Sequence, residues 1–434
     1  MLRNLYRTFR EVLWRLEAAG RELLQNSSLF APKVLTSSIL KIELKKSKNK
    51  TRYSEPSLNS LLFLDREYLA KRASEINNRV LHELDEYDAN KLSREVLESV
   101  SELHDDARKY EFLVLIPNGW SDVSSMAGRT QGVQIEFLVE GLRDLGFRVS
   151  VREDCTKDEL SAFYQKRNLI VLIWSLSVYH PGILKSQEIS KILSTENVQH
   201  KIVGVITKEP GQDCMNTALR WKGLIDAVIY YEEQSTFQSE LSRNFKVIHS
   251  QFIQSREFRV NTEKIALEGV FWSGLIKYNR KNWLFALKSL SENFGIRRGL
   301  WFYFDSLISI SKKFGYASNR KLERRMESFA LGLVLAHRQP GENVFLIGSF
   351  WNVYMSGQVP IVQHEGENPV IATYLIPNLD YFTIKTTEDL ATVLMFSKLY
   401  PSTIFRLRKR ILHRSQTYFS QREVASRLVS QIIE

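Results

Sequence analysis

The sequence predicts an α/β protein of two Rossmann-like, doubly wound parallel-sheet domains behind a helical N-terminal extension. Three observations lead there. Short continuous apolar runs at 112–116 (FLVLI), 169–174 (LIVLIW), 202–206 (IVGVI) and 330–336 (ALGLVLA) read as strands buried on both faces. Helix-patterned stretches separate them, which is the βαβ alternation of parallel sheets. With 434 residues, the chain exceeds what one hydrophobic core ordinarily serves.

The first segment reads as a helix. Leu2, Leu5, Tyr6, Phe9, Val12, Leu13, Leu16 and Leu23 recur at three- and four-residue spacing and make one apolar stripe, with Arg3, Arg7, Arg10 and Arg21 mostly off it. Such a basic amphipathic helix suits packing on its own protein or a second subunit, or lying in a membrane interface. Residues 41–53 (KIELKKSKNKTRY) are polar and are expected as a loop or exposed edge. From 65 to 110 the composition is helical, with Leu69, Ala73, Ile76, Val80 and Leu84 on one face. We read it as a linker or hairpin ahead of the first α/β half, and residues 1–109 as the extension.

In the first half, 110–255, strands are expected at 112–116, 147–151, 169–174, 202–206 and 227–231, and helices at 133–145, 181–193 and 236–243. Gly146 follows the first of these helices as a C-cap. The second half, 256–434, predicts strands at 267–272, 300–304, 330–336, 359–363 and 381–384. Its helices fall at 282–294, 319–327 and 343–355, followed by three closing helices at 387–396, 402–415 and 419–433. Ligands of such sheets bind outside the carboxyl ends of the strands, so a substrate cleft between the halves is the expectation.

Charge is unevenly placed. Residues 1–50 carry eleven Lys/Arg against four Glu, and residues 401–434 carry seven against two. The formal net charge of +11 therefore belongs to the two ends. Basic ends suit an anionic surface, either lipid headgroups or a polyanion. A near-neutral middle without a recognition motif argues against nucleic acid as the partner. The two cysteines, Cys155 and Cys214, are expected as small core hydrophobes rather than a disulfide. With no run of about 20 apolar residues and no signal-peptide pattern, we expect a cytoplasmic protein, peripheral at the inner face of the membrane where its basic ends dock.

Several stretches carry a family resemblance: 348–357 (GSFWNVYMSG), 359–363 (VPIVQ), 377–384 (PNLDYFTI), Glu388-Asp389-Leu390, Tyr400-Pro401 and 413–422 (HRSQTYFSQR). Their order and spacing resemble the C-terminal half of GT-B glycosyltransferases, nearest to the family 1 and spore-maturation-protein-like group. The strand at 267–272, Ser273-Gly274 and Asn279-Arg280 resemble the start of that half. The resemblance implies a GT-B-like fold and transfer of a sugar from a nucleotide-activated donor to a glycan, lipid or protein acceptor. It also implies no cofactor and no metal, and no cluster with metal-ligand spacing occurs in the sequence. Two departures stand out. Ser349 follows Gly348 where many members have Arg, and Asn352 stands where they have Glu. The glutamate pair of many retaining relatives is also missing, its earlier position falling on Val344 with Glu342 nearby. A catalytically silent binding or scaffold protein is therefore the alternative.

Transfer needs the donor phosphates neutralised and, in an inverting reaction, a base for the acceptor hydroxyl. For the phosphates the expected groups are Arg280, at a helix start after a strand, and the backbone around Gly348, Ser349 and Phe350, with Asn352 in the same helix. His337 and Arg338 follow a buried strand, where binding residues gather. Glu367 and Asn368 lie in the loop that the resemblance turns toward the donor sugar. Asn118, Gly119 and Trp120 are candidate acceptor contacts after the first strand. Asp122 and His180 are candidate bases, and the sequence does not choose between them.

Overall fold

The computed structural model describes residues 64–90, 105–116, 126–153, 158, 168–174, 200–206, 212–230, 236–250, 268–275, 280–303, 326–335, 348–363 and 375–434. The basic helix expected at the extreme N-terminus, and the helix expected at 181–193, lie outside them. The first described helix is α1 (Arg66–Asn90). A short 3-10 turn, Asp105–Lys109, leads into β1 (Tyr110–Ile116). Then follow α2 (Met126–Asp144), β2 (Val149–Glu153), β3 (Asn168–Trp174), β4 (Lys201–Val205), α3 (Gln212–Leu219), β5 (Ala227–Tyr230), α4 (Thr236–Ser242) and β6 (Lys246–His249). These strands form one sheet, all parallel, in the order β2-β1-β3-β4-β5-β6.

Period-two alternation explains why this sheet is buried on both sides. Phe112, Val114, Ile170 and Leu172 face one core with Ile135, Leu138 and Leu142 of α2. Leu113, Leu115, Val171 and Ile173 face another with Met215 and Ala218 of α3 and Leu241 of α4. Two of these elements, α3 and β6, were not expected from the sequence. The second strand starts at Val149 rather than at 147, and Phe147 instead meets the Phe112 ring edge-on at 5.0 Å.

The second unit contains β7 (Val270–Leu275), α5 (Arg280–Phe294), β8 (Arg298–Tyr303), β9 (Leu331–Val334), α6 (Gly348–Met355), β10 (Val359–Gln363) and β11 (Phe382–Ile384). Its five strands are again all parallel, ordered β11-β10-β9-β7-β8. The strand expected at 267–272 begins three residues later, because Gly269 takes a left-handed φ of 92° just before it. Close approach also fixes Gly332 on β9, where a Cβ would come within 2.3 Å of Val353. The chain closes with α7 (Thr387–Leu399), α8 (Pro401–Gln416) and α9 (Gln421–Ile433). A capping box starts α7: the Asp389 amide donates to Thr386 Oγ1, and Asp389 Oδ2 accepts from the Thr386 amide.

Two helices pack away from their neighbours in sequence. The expected linker helix, α1, joins the second unit. Its Leu69, Ala73, Val80 and Leu84 share a core with Val270, Leu287 and Leu390. Conversely, Ala425, Leu428, Val429 and Ile432 of α9 lie in the core of the first sheet, against α2. At that crossing Gly141 is required, since a Cβ there would sit 2.1 Å from the Gln421 carbonyl oxygen. Lys201 Nζ donates to the Ile432 and Ile433 carbonyls at 2.7 Å each, closing the carbonyl end of α9.

Candidate functional site

Both sheets have the same internal order. In each, the chain goes from the first strand to a neighbour on one side and then crosses to the other side. This creates a switch point between β1 and β3 in the first unit and between β7 and β9 in the second. The crevice outside the carboxyl ends of two such strands is where ligands bind in open α/β sheets.

At the second switch point the structure places Arg280. It opens α5, directly after β7, and is only 5% exposed. Its Nη2 donates to the carbonyl of Leu335, the residue that follows β9, at 3.1 Å. The side chain thus reaches from the strand that precedes it to the end of the strand across the switch point. Gly274 lies beside it: a Cβ there would be in ordinary contact with Arg280 Nη1 at 3.6 Å but would press on the Trp272 indole at 3.0 Å. A guanidinium stays charged in a protein and presents five donors in a fixed fork. Burying one is costly unless acceptors surround it. An anion with several oxygens is the ligand for which such a fork is made.

The second group follows β9. Helix α6 is the crossover between parallel strands β9 and β10, so its amino end lies on the carboxyl side of the sheet, as does the start of α5. Gly348 and Ser349 supply first-turn amides there. Phe350 has only its backbone available there. Its ring is fully buried, stacked on Tyr354 at 5.7 Å and edge-on to Trp351 at 5.3 Å. That aromatic block, with Phe419, seats the helix rigidly. Asn352 is half-buried one turn further on.

The remaining candidates lie outside the described residues. Asn118, Gly119, Trp120 and Asp122 follow the end of β1 at Ile116, and His180 follows the end of β3 at Trp174. In sequence they therefore succeed the two strands that flank the first switch point. His337 and Arg338 follow β9, and Glu367 and Asn368 follow β10. Among the described residues no group of His, Cys, Asp or Glu is arranged to hold a metal ion. Among them, too, no helix is long and apolar enough to cross a membrane.

The basic C-terminal end is not the exposed anionic-surface patch that its composition suggests. Arg408, Arg410 and Arg414 of α8 are buried. Arg408 Nε donates to the Gly357 carbonyl at 2.6 Å, and burial lowers its pKa to about 10, so it remains charged at neutral pH. Arg410 and Arg414 both pair with Asp380. Arg406 pairs with Asp85 of α1 at 2.8 Å, and Arg427 stacks on Tyr418 with 4.0 Å to the ring centroid. With Lys409 over the Phe405 ring at 4.6 Å, six of the end's seven cations are engaged within the protein. The sequence hid this because the carboxylate that gathers two of them is thirty residues upstream.

No protein-family model matches the sequence, and no curated protein matches it. Among solved structures it is similar to a point mutant of S. aureus TarM in complex with fondaparinux, alpha-GlcNAc-glycerol and UDP. There the identity is 10%, the match covers 64% of this chain and 59% of that one, and the TM-score is 0.42. For the Glycosylation Associate Protein (Gap123) complex from Streptococcus agalactiae the values are 9%, 64%, 57% and 0.42. For an alpha-glucosyltransferase with UDP-glucose and DNA containing an abasic site they are 10%, 74%, 95% and 0.39. The matched part is less than two thirds of the first two proteins. Similarity this distant adds nothing to the two parallel sheets described above.

Proposed function

We propose that the chain is a glycosyltransferase that takes a sugar from a nucleotide-activated donor and passes it to a glycan, lipid-linked or protein acceptor. The observation that carries this reading is Arg280, a buried guanidinium laid across the switch point of the second sheet. A nucleoside diphosphate is the leaving group of such a transfer. Negative charge grows on its terminal phosphate as the bond to the sugar carbon breaks. A fixed guanidinium at that position, with first-turn amides of α6 on the same side of the sheet, stabilises that charge more in the transition state than in the ground state. The resemblance over 348–422 supports the same reading, because it falls on α6, β10, β11 and the closing helices.

The acceptor hydroxyl must lose its proton as it attacks. In an inverting course Asp122 or His180, each following a strand of the first switch point, would take it. With the Arg280 guanidinium and the α6 amides taking the phosphate charge, this reading calls for no metal ion. Docking on an anionic membrane falls to residues 1–50, since the basic C-terminal end is largely spent inside the protein.

One observation favours a second reading. Helix α6, GSFWNVYM, contains no carboxylate to hold the donor sugar. A silent binding subunit of the same fold would bind the nucleotide but transfer nothing. The deciding experiment is thermal shift and calorimetry of the whole chain against nucleoside diphosphates and their sugars. We expect one nucleotide to raise the melting temperature by mass action, and Arg280→Ala to abolish the shift measured against the variant's own ligand-free melting temperature. No shift with any of them sinks the donor-site reading. A shift without transfer to any acceptor leaves the silent subunit.

A further inference from the structure

The helix that carries Arg280 is held at its opposite end by a segment from outside the second half of the sequence. Helix α5 has fifteen residues, so its two ends stand about 22 Å apart on one rigid rod. Its carbonyl end has orphan acceptors, and cations satisfy them. Arg66, the first residue of α1, donates through Nη2 to the Asn293 carbonyl at 2.9 Å. Lys398, in the last turn of α7, donates to the Phe294 carbonyl. Arg298 adds a contact further in, to the Lys288 carbonyl at 3.0 Å.

The same helix α1 is fastened to the other outer helices at several points. Arg72 Nη1 lies 2.6 Å from Glu388 Oε1, and its Nη2 lies 3.5 Å from Asp389 Oδ1, both in the first turn of α7. Thr403 Oγ1 on α8 donates to Asn77 Oδ1 at 2.6 Å, in a buried position. Arg406 Nη2 donates to Asp85 Oδ1 at 2.8 Å. Four apolar residues of α1 complete the second unit's core. These contacts make α1 an outer layer of that unit, and residues 1–63 precede it directly in the chain.

We propose that α1 is a strap for the nucleotide site. By gripping the carbonyl end of α5 and the start of α7, it fixes where α5 presents Arg280. Loosening α1 from α5 and α7 then weakens nucleotide binding. Arg66 and Arg72 are positioning residues in this scheme, acting on the ligand only through α5 and α7. The proposal rests on Arg280 binding the donor phosphates, and the test separates the two.

The test compares the full chain with its Arg66→Ala/Arg72→Ala variant. Lys71→Ala, exposed on the same helix, is the control. Two quantities are read: amide hydrogen exchange across 280–294, and calorimetric affinity for the nucleoside diphosphate selected from the panel. In the double variant exchange along α5 should quicken and affinity should fall about three- to ten-fold, the range that the partly exposed Arg72 ion pairs and the Arg66 bond to the Asn293 carbonyl supply together. Arg66→Lys, which keeps a cation at the α5 carbonyls, should recover most of its share. Unchanged α5 exchange, or unchanged affinity beside quickened exchange, overturns the strap. If the parent binds no nucleotide, the donor-site reading falls and α5 exchange alone decides whether α1 controls that helix. Arg66→Gln, at the exposed start of α1, carries the same comparison if the double variant does not fold.

Discussion

Replacing Asp380 with alanine should be among the most damaging single changes in the second unit. The carboxylate is fully buried. Oδ1 accepts from Arg410 Nη1 and from the Tyr354 hydroxyl at 2.7 Å. Oδ2 accepts from Arg414 Nη1 at 2.6 Å and from the Ile376 amide at 2.8 Å. Burial by itself would raise its pKa, but the two guanidiniums and the hydrogen bonds outweigh burial and hold it below the ordinary value. Asp380→Ala leaves two positive charges side by side in a site without their carboxylate. Removing one partner of a buried ion pair costs about 3–5 kcal/mol. That is a large share of the ~5–15 kcal/mol that typical domains possess. Urea unfolding followed by circular dichroism at pH 7 measures it. Tyr354→Phe removes only one of the four donors and should cost about 1 kcal/mol. Acid titration supplies a second check. Because the folded-state pKa lies below the ordinary value of 3.8, the stabilisation is complete above that value and is lost as pH falls through the lower one. The parent should therefore lose stability with acid more steeply than the variant does. A cost below about 1 kcal/mol for Asp380→Ala would refute the idea that this carboxylate compensates the two arginines.

Other expectations concern the joint between the units. Gly141→Val should destabilise the protein by about 1–3 kcal/mol, as overpacking does, because its Cβ would collide with the Gln421 carbonyl. Chemical denaturation measures the loss, and faster amide exchange at 421–433 would show that α9 has been displaced. Lys201→Ala should fray only the last turn of α9, at a cost of about 1 kcal/mol, since it removes two hydrogen bonds from a helix end. Exchange confined to the final residues checks that, and quickening along the whole helix would contradict it.

Strands were the most legible part of the fold. Runs such as LIVLIW and VPIVQ are too apolar to face water on either side, and each is a strand inside a parallel sheet. Strand β6 escaped notice for the opposite reason. KVIH is four residues long, begins with an exposed lysine, and lies at the sheet edge, where continuous apolarity is not required. Helix α3 was missed because QDCMNTAL is only eight residues long, too short for Met215, Ala218 and Leu219 to show a helical period. Of the site, Arg280 was legible from its place between a strand and a helix. Its reach to Leu335 was not, because strand order is a property of pairing. Periodicity located the buried faces of α1 and α9 but could not say which core each would join.

Chain order and packing order differ at both ends, with consequences for how the halves can be separated. Val424 lies in the core of the second unit, and Ala425, the next residue, lies in that of the first. Gln421 donates to Glu140 of α2 at 3.1 Å, so the start of α9 is tied to the first unit by side chain as well as by close backbone packing. A cut near residue 255 would therefore remove α9 from the first unit and α1 from the second. Each fragment would expose the apolar stripe on which its missing helix had lain, a patch of the kind that drives association in water. Neither fragment should be soluble alone, whereas chains expressed together should recombine through those two helices. Two independently soluble monomeric halves would show that α1 and α9 merely rest on the opposite units.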